Sequence, residues 1–97
     1  MWHLYIIRCR DGTLYTGIAT DVARRLSAHR AGKGAKYLRG RGPLILVYQT
    51  CIGSKAMALK LESRVKALPK AKKEQLVAQC RPILSLLPES AETCFRP

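Results

Sequence analysis

The rhythm of apolar and polar positions changes several times along the chain. Trp2 to Arg8 is rich in aromatic and β-branched residues, Leu14 to Ala19 resembles it, and Arg10-Asp11-Gly12-Thr13 between them has turn chemistry. This pattern predicts a β-hairpin. Two registers are open to it. A two-residue Asp-Gly loop pairs Arg10 with Thr13 and sends Tyr5 and Tyr15 to opposite faces. A three-residue loop, with Gly12 in the left-handed position of a bulge, pairs Cys9 with Thr13 and puts both tyrosines on one face, Tyr5 opposite Gly17. In that second register Gly17 is expected to leave space over the strand for a water or a phosphate.

After the hairpin the period lengthens. Thr20 or Asp21 can cap a helix that runs from Val22 to Ala31 and stops at Gly32. Val22, Leu26 and His29 fall on one stripe of it. Arg25 sits at the edge of that stripe and Arg24 points away, so the two arginines are not equivalent. Leu44 to Thr50 is nearly all apolar and predicts a well-buried third strand. Ser54 opens a second helix to about Leu68 with Met57, Leu61, Val65 and Leu68 on its apolar face and Glu62 at the border. Pro69 breaks the pattern, and Lys70 to Cys80 reads as a short third helix. Ile83 to Leu87 is a last apolar turn, and residues 88–97 read as a flexible tail after a single domain spanning 1–87.

Composition narrows the functional classes. A chain of 97 residues, 47% of them hydrophobic, has room for one small core. Its 18 Lys and Arg against 6 acids leave a net charge of +12, which asks for a polyanionic partner. The run from Arg30 to Arg41 holds Arg30, Lys33, Lys36, Arg39 and Arg41 and no acid. With Arg24, it is the expected phosphate-contacting surface, and binding through it should weaken as salt rises. No segment is long and apolar enough for a membrane span, and no signal-peptide core is evident, so a cytoplasmic protein is expected. The four cysteines form no C-x-x-C pair and neither histidine has zinc-like spacing to one, so reduced thiols are expected rather than a zinc site.

Taken singly, the polar residues have ordinary explanations. A strand tyrosine usually packs its ring and wets its hydroxyl. A histidine on an apolar stripe is commonly a hydrogen-bonded core residue, and Glu62 can simply pair with Lys66 one turn on. Together they form a pattern: Tyr5, Tyr15-x-Gly17, Arg25, His29 and the isolated helical acid Glu62. That constellation resembles the GIY-YIG nuclease superfamily over roughly residues 2–68, and within it the small stand-alone bacterial members of uncharacterised role. His3-Leu4-Tyr5 stands where the first tripeptide falls and Tyr15-Thr16-Gly17 where the second falls. Three features depart from the family pattern. The first tripeptide keeps only its tyrosine, Ile18 occupies the place of a lysine found in some repair nucleases, and the chain has no asparagine at all.

The resemblance implies an α/β (α+β) fold, a small three-stranded, mostly antiparallel or mixed sheet flanked by helices. It implies a metal-dependent DNA endonuclease, with repair or recombination as its setting. Tyr5, Tyr15, Arg25, His29 and Glu62 are the implied catalytic residues, Gly17 shapes the site, and Glu62 holds one Mg²⁺ or Mn²⁺. One tyrosine would deprotonate water and the other would position it, with Arg25 and the metal drawing the phenol's pKa down from its usual ~10. DNA is favoured over RNA as partner, and no membrane is involved. The alternative is a nucleic-acid-binding domain on the same fold with weak or no catalysis. A basic protein-binding or membrane-surface role rests on charge alone.

Overall fold

A computed structural model describes residues 1–34, 38 and 42–79. The expected last apolar turn, the tail at 88–97, and Lys36, Arg39 and Arg41 lie outside the described residues. Strands β1 (Trp2–Arg8) and β2 (Leu14–Ala19) come first, then helix α1 (Val22–Arg30), strand β3 (Ile45–Gly53) and helices α2 (Lys55–Lys66) and α3 (Lys70–Gln79). The strand order is β2-β1-β3, and both pairings are antiparallel. The sheet is therefore wholly antiparallel among the described residues, not mixed.

The hairpin takes the three-residue loop. Cys9 N–H donates to the Thr13 carbonyl at 2.8 Å, and Gly12 N–H donates to the Cys9 carbonyl at 2.9 Å. Gly12 has φ of 85°, a left-handed value that a side chain resists. Asp11 steadies the turn by accepting from Thr13 N–H and from its hydroxyl. The resulting register sets Tyr5 against Gly17 and Ile7 against Tyr15. Strand alternation then gives Leu4 and Ile6 to one face of the sheet, and Tyr5, Ile7 and Tyr15 to the other.

Each face has its own apolar cluster. Leu4 and Ile6 meet Tyr48 and Ile52 of β3 and Ala58, Leu61 and Val65 of α2, with Leu76 and Val77 of α3 at the margin. Tyr5, Ile7 and Cys9 meet Ala19, Val22 and Leu26 of the β2–α1 side, together with Leu38 and Leu44. The apolar stripe of α1 is buried as expected, while α2 buries Ala58 in place of the expected Leu68. Asp21 caps α1, accepting from Arg24 N–H, and Ser54 caps α2, accepting from Met57 N–H.

The expectation for the third strand fails in an instructive way. β3 is an outer strand, and only Tyr48 and Ile52 of it are buried, with Ile45 54% exposed. Its apolar run suggested a well-buried strand, but the middle of the sheet belongs to β1, with Leu4 to Ile7 all sequestered. One polar clamp ties the last helix down: Arg8 at the end of β1 grips Glu74 of α3 through two bonds of 2.8 and 2.6 Å.

The turn makes a direct prediction. Gly12→Ala should destabilise the domain by about 1–2 kcal/mol, the cost of a left-handed alanine. Chemical denaturation checks it, and an unchanged midpoint would mean that the hairpin does not depend on this geometry.

Candidate active site

Tyr5 is the centre of the site. It sits on the central strand with 1% of its surface exposed, and its hydroxyl is 2.9 Å from His29 Nε2. His29 comes from the buried stripe of α1 and is itself 2% exposed. Tyr15, one strand over on the same face, sets its ring edge-on to the imidazole at 5.7 Å between centroids. Tyr5, Tyr15 and His29 thus form one aromatic group between the sheet and α1.

Gly17 makes this packing possible, by a different route from the one expected. A Cβ at Gly17 would lie 2.6 Å from the Tyr5 hydroxyl oxygen and 3.2 Å from Tyr15 Cε2. The space above the glycine is filled by the Tyr5 phenol itself, not by a water or a phosphate. Gly34 plays a similar part on the far side, where a Cβ would collide with His29 Nδ1. Nothing in the sequence marked Gly34, because the contact joins a helix to the loop that follows it.

Arg25 by itself does not bring about the expected lowering of the Tyr5 phenol. Burial, then the nearby Tyr15 phenol, push Tyr5 up from 10.0 to about 12. The Arg25 guanidinium, within hydrogen-bonding reach, works in the expected opposite direction but is outweighed. Burial and the Arg25 charge also hold His29 below its ordinary 6.5. Both groups are therefore neutral at pH 7, joined by one hydrogen bond whose direction follows the imidazole tautomer.

Arg25 and Glu62 reach the same place from different elements. Arg25 is exposed along much of its length, yet its charge acts on both Tyr5 and His29. No such action of Arg24 on the pair is seen, in keeping with the different directions assigned to the two side chains. Glu62 belongs to α2 on the opposite face, but α2 lies across the outer strand β2, and the carboxylate is felt at Tyr5 as a charge that raises its pKa. Lys66, one turn on, pairs with Glu62 at 3.5 Å and stands 6.0 Å from the centre of the Tyr15 ring. The ordinary helix pair is thus present, and its lysine also touches the site. The Glu62/Lys66 spacing was visible in the sequence, but its closeness to Tyr15 was not.

Of the expected phosphate contacts, Arg24 and Lys33 are exposed, whereas Arg30 donates to the Leu44 carbonyl at 3.1 Å and helps fasten α1 to the start of β3. Among the described residues no three His, Cys, Asp or Glu side chains cluster to hold a metal. The donor set is one carboxylate, Glu62, beside phenols. That suits a hard cation which keeps several waters and takes its remaining ligands from a substrate phosphate, as Mg²⁺ does. No helix among the described residues is long and apolar enough to cross a membrane.

An antiparallel three-stranded sheet whose central tyrosine meets a helix histidine and arginine is the kind of arrangement that the GIY-YIG resemblance implies. The family model described as the GIY-YIG catalytic domain matches residues 1–75, and the chain belongs to that family. Among its relatives are UPF0213 proteins of uncharacterised role. One, from Yersinia pestis (strain Pestoides F), is 56% identical over 87 residues, covering 90% of this chain and 92% of the relative. The solution NMR structure of the UPF0213 protein BH0048 from Bacillus halodurans is 51% identical and superposes with a TM-score of 0.54 over 81% of this chain and 85% of its own. The NMR structure of EF2693 from E. faecalis is 34% identical, with a TM-score of 0.56 over 79% and 82%.

The buried pair sets a pH dependence. A phenol whose folded pKa exceeds its unfolded value stabilises the fold fully below pH 10.0, and that contribution is lost as pH rises toward about 12. Two units correspond to about 3 kcal/mol. Denaturation at pH 9 and at pH 11.5 should show a larger alkaline loss in the wild type than in Tyr5→Phe. His29, held low, acts in the reverse sense and costs stability as pH falls through 6.5. Equal alkaline losses in the two proteins would contradict the burial of a neutral Tyr5.

Proposed function

We propose that the chain is a Mg²⁺- or Mn²⁺-dependent DNA endonuclease module that hydrolyses phosphodiester bonds with one divalent ion, in DNA repair or recombination. The observation that carries this reading is the meeting of four side chains around one phenol: Tyr15, His29 and Arg25 beside Tyr5, and the Glu62 charge acting on it from α2. Phosphodiester hydrolysis needs a positioned water, relief of charge at phosphorus and help for the departing oxygen. Each need has a group here.

Glu62 would hold the ion, which when bound supplies positive charge against the scissile phosphate and its leaving oxygen. Arg25 is the fixed cation of the site and neutralises charge building on the phosphate. The two phenols divide their work by environment. Tyr5 is buried, neutral and fastened to His29, so it orients and passes on a proton rather than starting as a phenolate. Tyr15 is only partly buried, and it is the phenol we assign to the attacking water. Lys66, paired with Glu62 beside the Tyr15 ring, would share that carboxylate with a bound ion. Lys33 and Arg24, with Lys36, Arg39 and Arg41, are assigned to the strand's phosphates.

A second reading draws on one specific observation, the raised pKa of Tyr5. A site whose central phenol holds its proton so firmly suits a nucleic-acid-binding domain with little turnover. Metal-dependent cleavage separates the two.

Supercoiled, single-stranded and branched DNA, each incubated with Mg²⁺ or with EDTA, should be cut only with the metal, and Glu62→Ala should abolish the cutting while binding persists. Intact DNA under every condition would leave the binding domain. Arg25→Ala should lower the cleavage rate by about 10²-fold, as expected for a group that neutralises transition-state charge. Arg24→Ala should weaken binding modestly and spare the rate of bound substrate. Single-turnover kinetics distinguish them, and an equal loss of rate in both would sink the assignment of Arg25.

A further inference from the structure

Beside the aromatic group lies a groove of about 460 Å³ that the proposed mechanism does not use. It is lined by Trp2 and Ile18 at the end of the sheet, Ala19, Thr20 and Asp21 at the strand–helix junction, and Arg24, Arg25 and Ala28 of α1. The lining combines an indole and apolar side chains with two arginines. Trp2 and Ile18 also pack against the cluster of Leu4 and Ile6. Trp2 is half-buried, and Lys55 of α2 stands 5.2 Å from its ring centre, which adds a third cation at that end. Asp21 is the single acid among the lining residues, and its carboxylate is occupied by the Arg24 backbone N–H.

Two arguments identify the occupant. The groove is continuous with the proposed active site through Arg25, which lines the groove and also acts on Tyr5 and His29. A nucleic-acid strand whose phosphate charge is neutralised by Arg25 can place its neighbouring nucleotide in this groove. Phosphates alone would call for cations alone. An aromatic ring and apolar side chains beside cations match a nucleotide whose base is unpaired and free to stack. A base inside a duplex is already stacked and paired, and cannot turn its face to an indole without being extruded.

We infer that the Trp2–Arg24–Arg25 groove is a subsite for one unpaired nucleotide next to the scissile phosphate, its base against Trp2 and its phosphate between the two arginines. The inference rests on reading Tyr5 and its neighbours as a nucleic-acid site. It narrows the substrate class to strands with a single-stranded nucleotide at the cut, as in a flap, a gap, a frayed end or a free single strand. Fully paired duplex is the disfavoured form.

Trp2 is the only tryptophan of the chain, so its fluorescence reports the groove directly. The titration is run in EDTA, where no cleavage is needed, with anisotropy as the parallel measure of binding. Three probes are compared: a single-stranded thymidine oligonucleotide, a strand of the same length lacking its bases, and a blunt duplex. Quenching is expected with the thymidine strand and not with the other two. Trp2→Leu should lose roughly five-fold or more in affinity for the thymidine strand, the effect of one lost stacking contact, and little for the abasic strand. Trp2→Phe should retain most of it.

Quenching of equal depth by all three probes would overturn the inference, because charge alone would then explain binding. So would a thymidine strand that binds by anisotropy without quenching, or one that does not bind at low salt. The wild-type titration decides the matter even if Trp2→Leu folds poorly. A chain that quenches selectively yet never cleaves keeps the groove and loses the nuclease; one that cleaves without selective quenching does the reverse.

Discussion

The three-residue turn at Arg10-Asp11-Gly12 is the constraint on which the site depends. Side chains alternate along a strand, so one residue more or less in the turn would move Tyr15 to the face that holds Leu4 and Ile6. Gly12, at a left-handed φ, fixes the count. With it fixed, Tyr5 lies over Gly17, Tyr15 beside Ile7, and both phenols face α1. The Asp21 cap then sets where α1 begins, and helical spacing brings His29 to the Tyr5 hydroxyl two turns later. A local backbone choice thus decides a contact between residues 24 positions apart.

Burial gives that contact its character. An exposed tyrosine near an arginine would have its pKa lowered, which is the simple expectation from sequence. Here desolvation and the second phenol prevail over Arg25, and Tyr5 is held near 12. In the proposed reading, Glu62 would hold a cation and Arg25 would neutralise a phosphate beside it. A single carboxylate would suit an ion that takes its remaining ligands from substrate, and Glu62 is paired with Lys66 in this structure.

Much of this was legible in the sequence, for identifiable reasons. The hairpin, both helix caps and the stripe of Val22, Leu26 and His29 follow from local rules of turn chemistry and period. The register was narrowed to two, and only the shared-face alternative could serve one site. What failed was nonlocal. β3 reads as a buried strand because its composition is apolar, but sheet order is decided by which strand has partners on both sides. The role of Gly17 was misjudged because the Tyr5 phenol, which lies over the glycine, meets His29 on another element. Gly34, Lys66 beside Tyr15 and the groove at Trp2 could not be found from spacing, since each joins elements whose relative placement only the packed fold defines.

The central claim is that Tyr5 and Tyr15 act as one unit in one site, and the most direct test is a double-mutant cycle on the chemical step. Single-turnover cleavage rates would be measured with saturating Mg²⁺ for the wild type, Tyr5→Phe, Tyr15→Phe and the double variant, with DNA affinity followed in parallel. Each single change should lower the rate by about 10²-fold or more while leaving affinity nearly intact, and the double variant should be little worse than the slower single one, as for groups that share one proton-transfer path. Losses that multiply in the double variant, or a Tyr5→Phe protein that cleaves at the wild-type rate, would contradict the account.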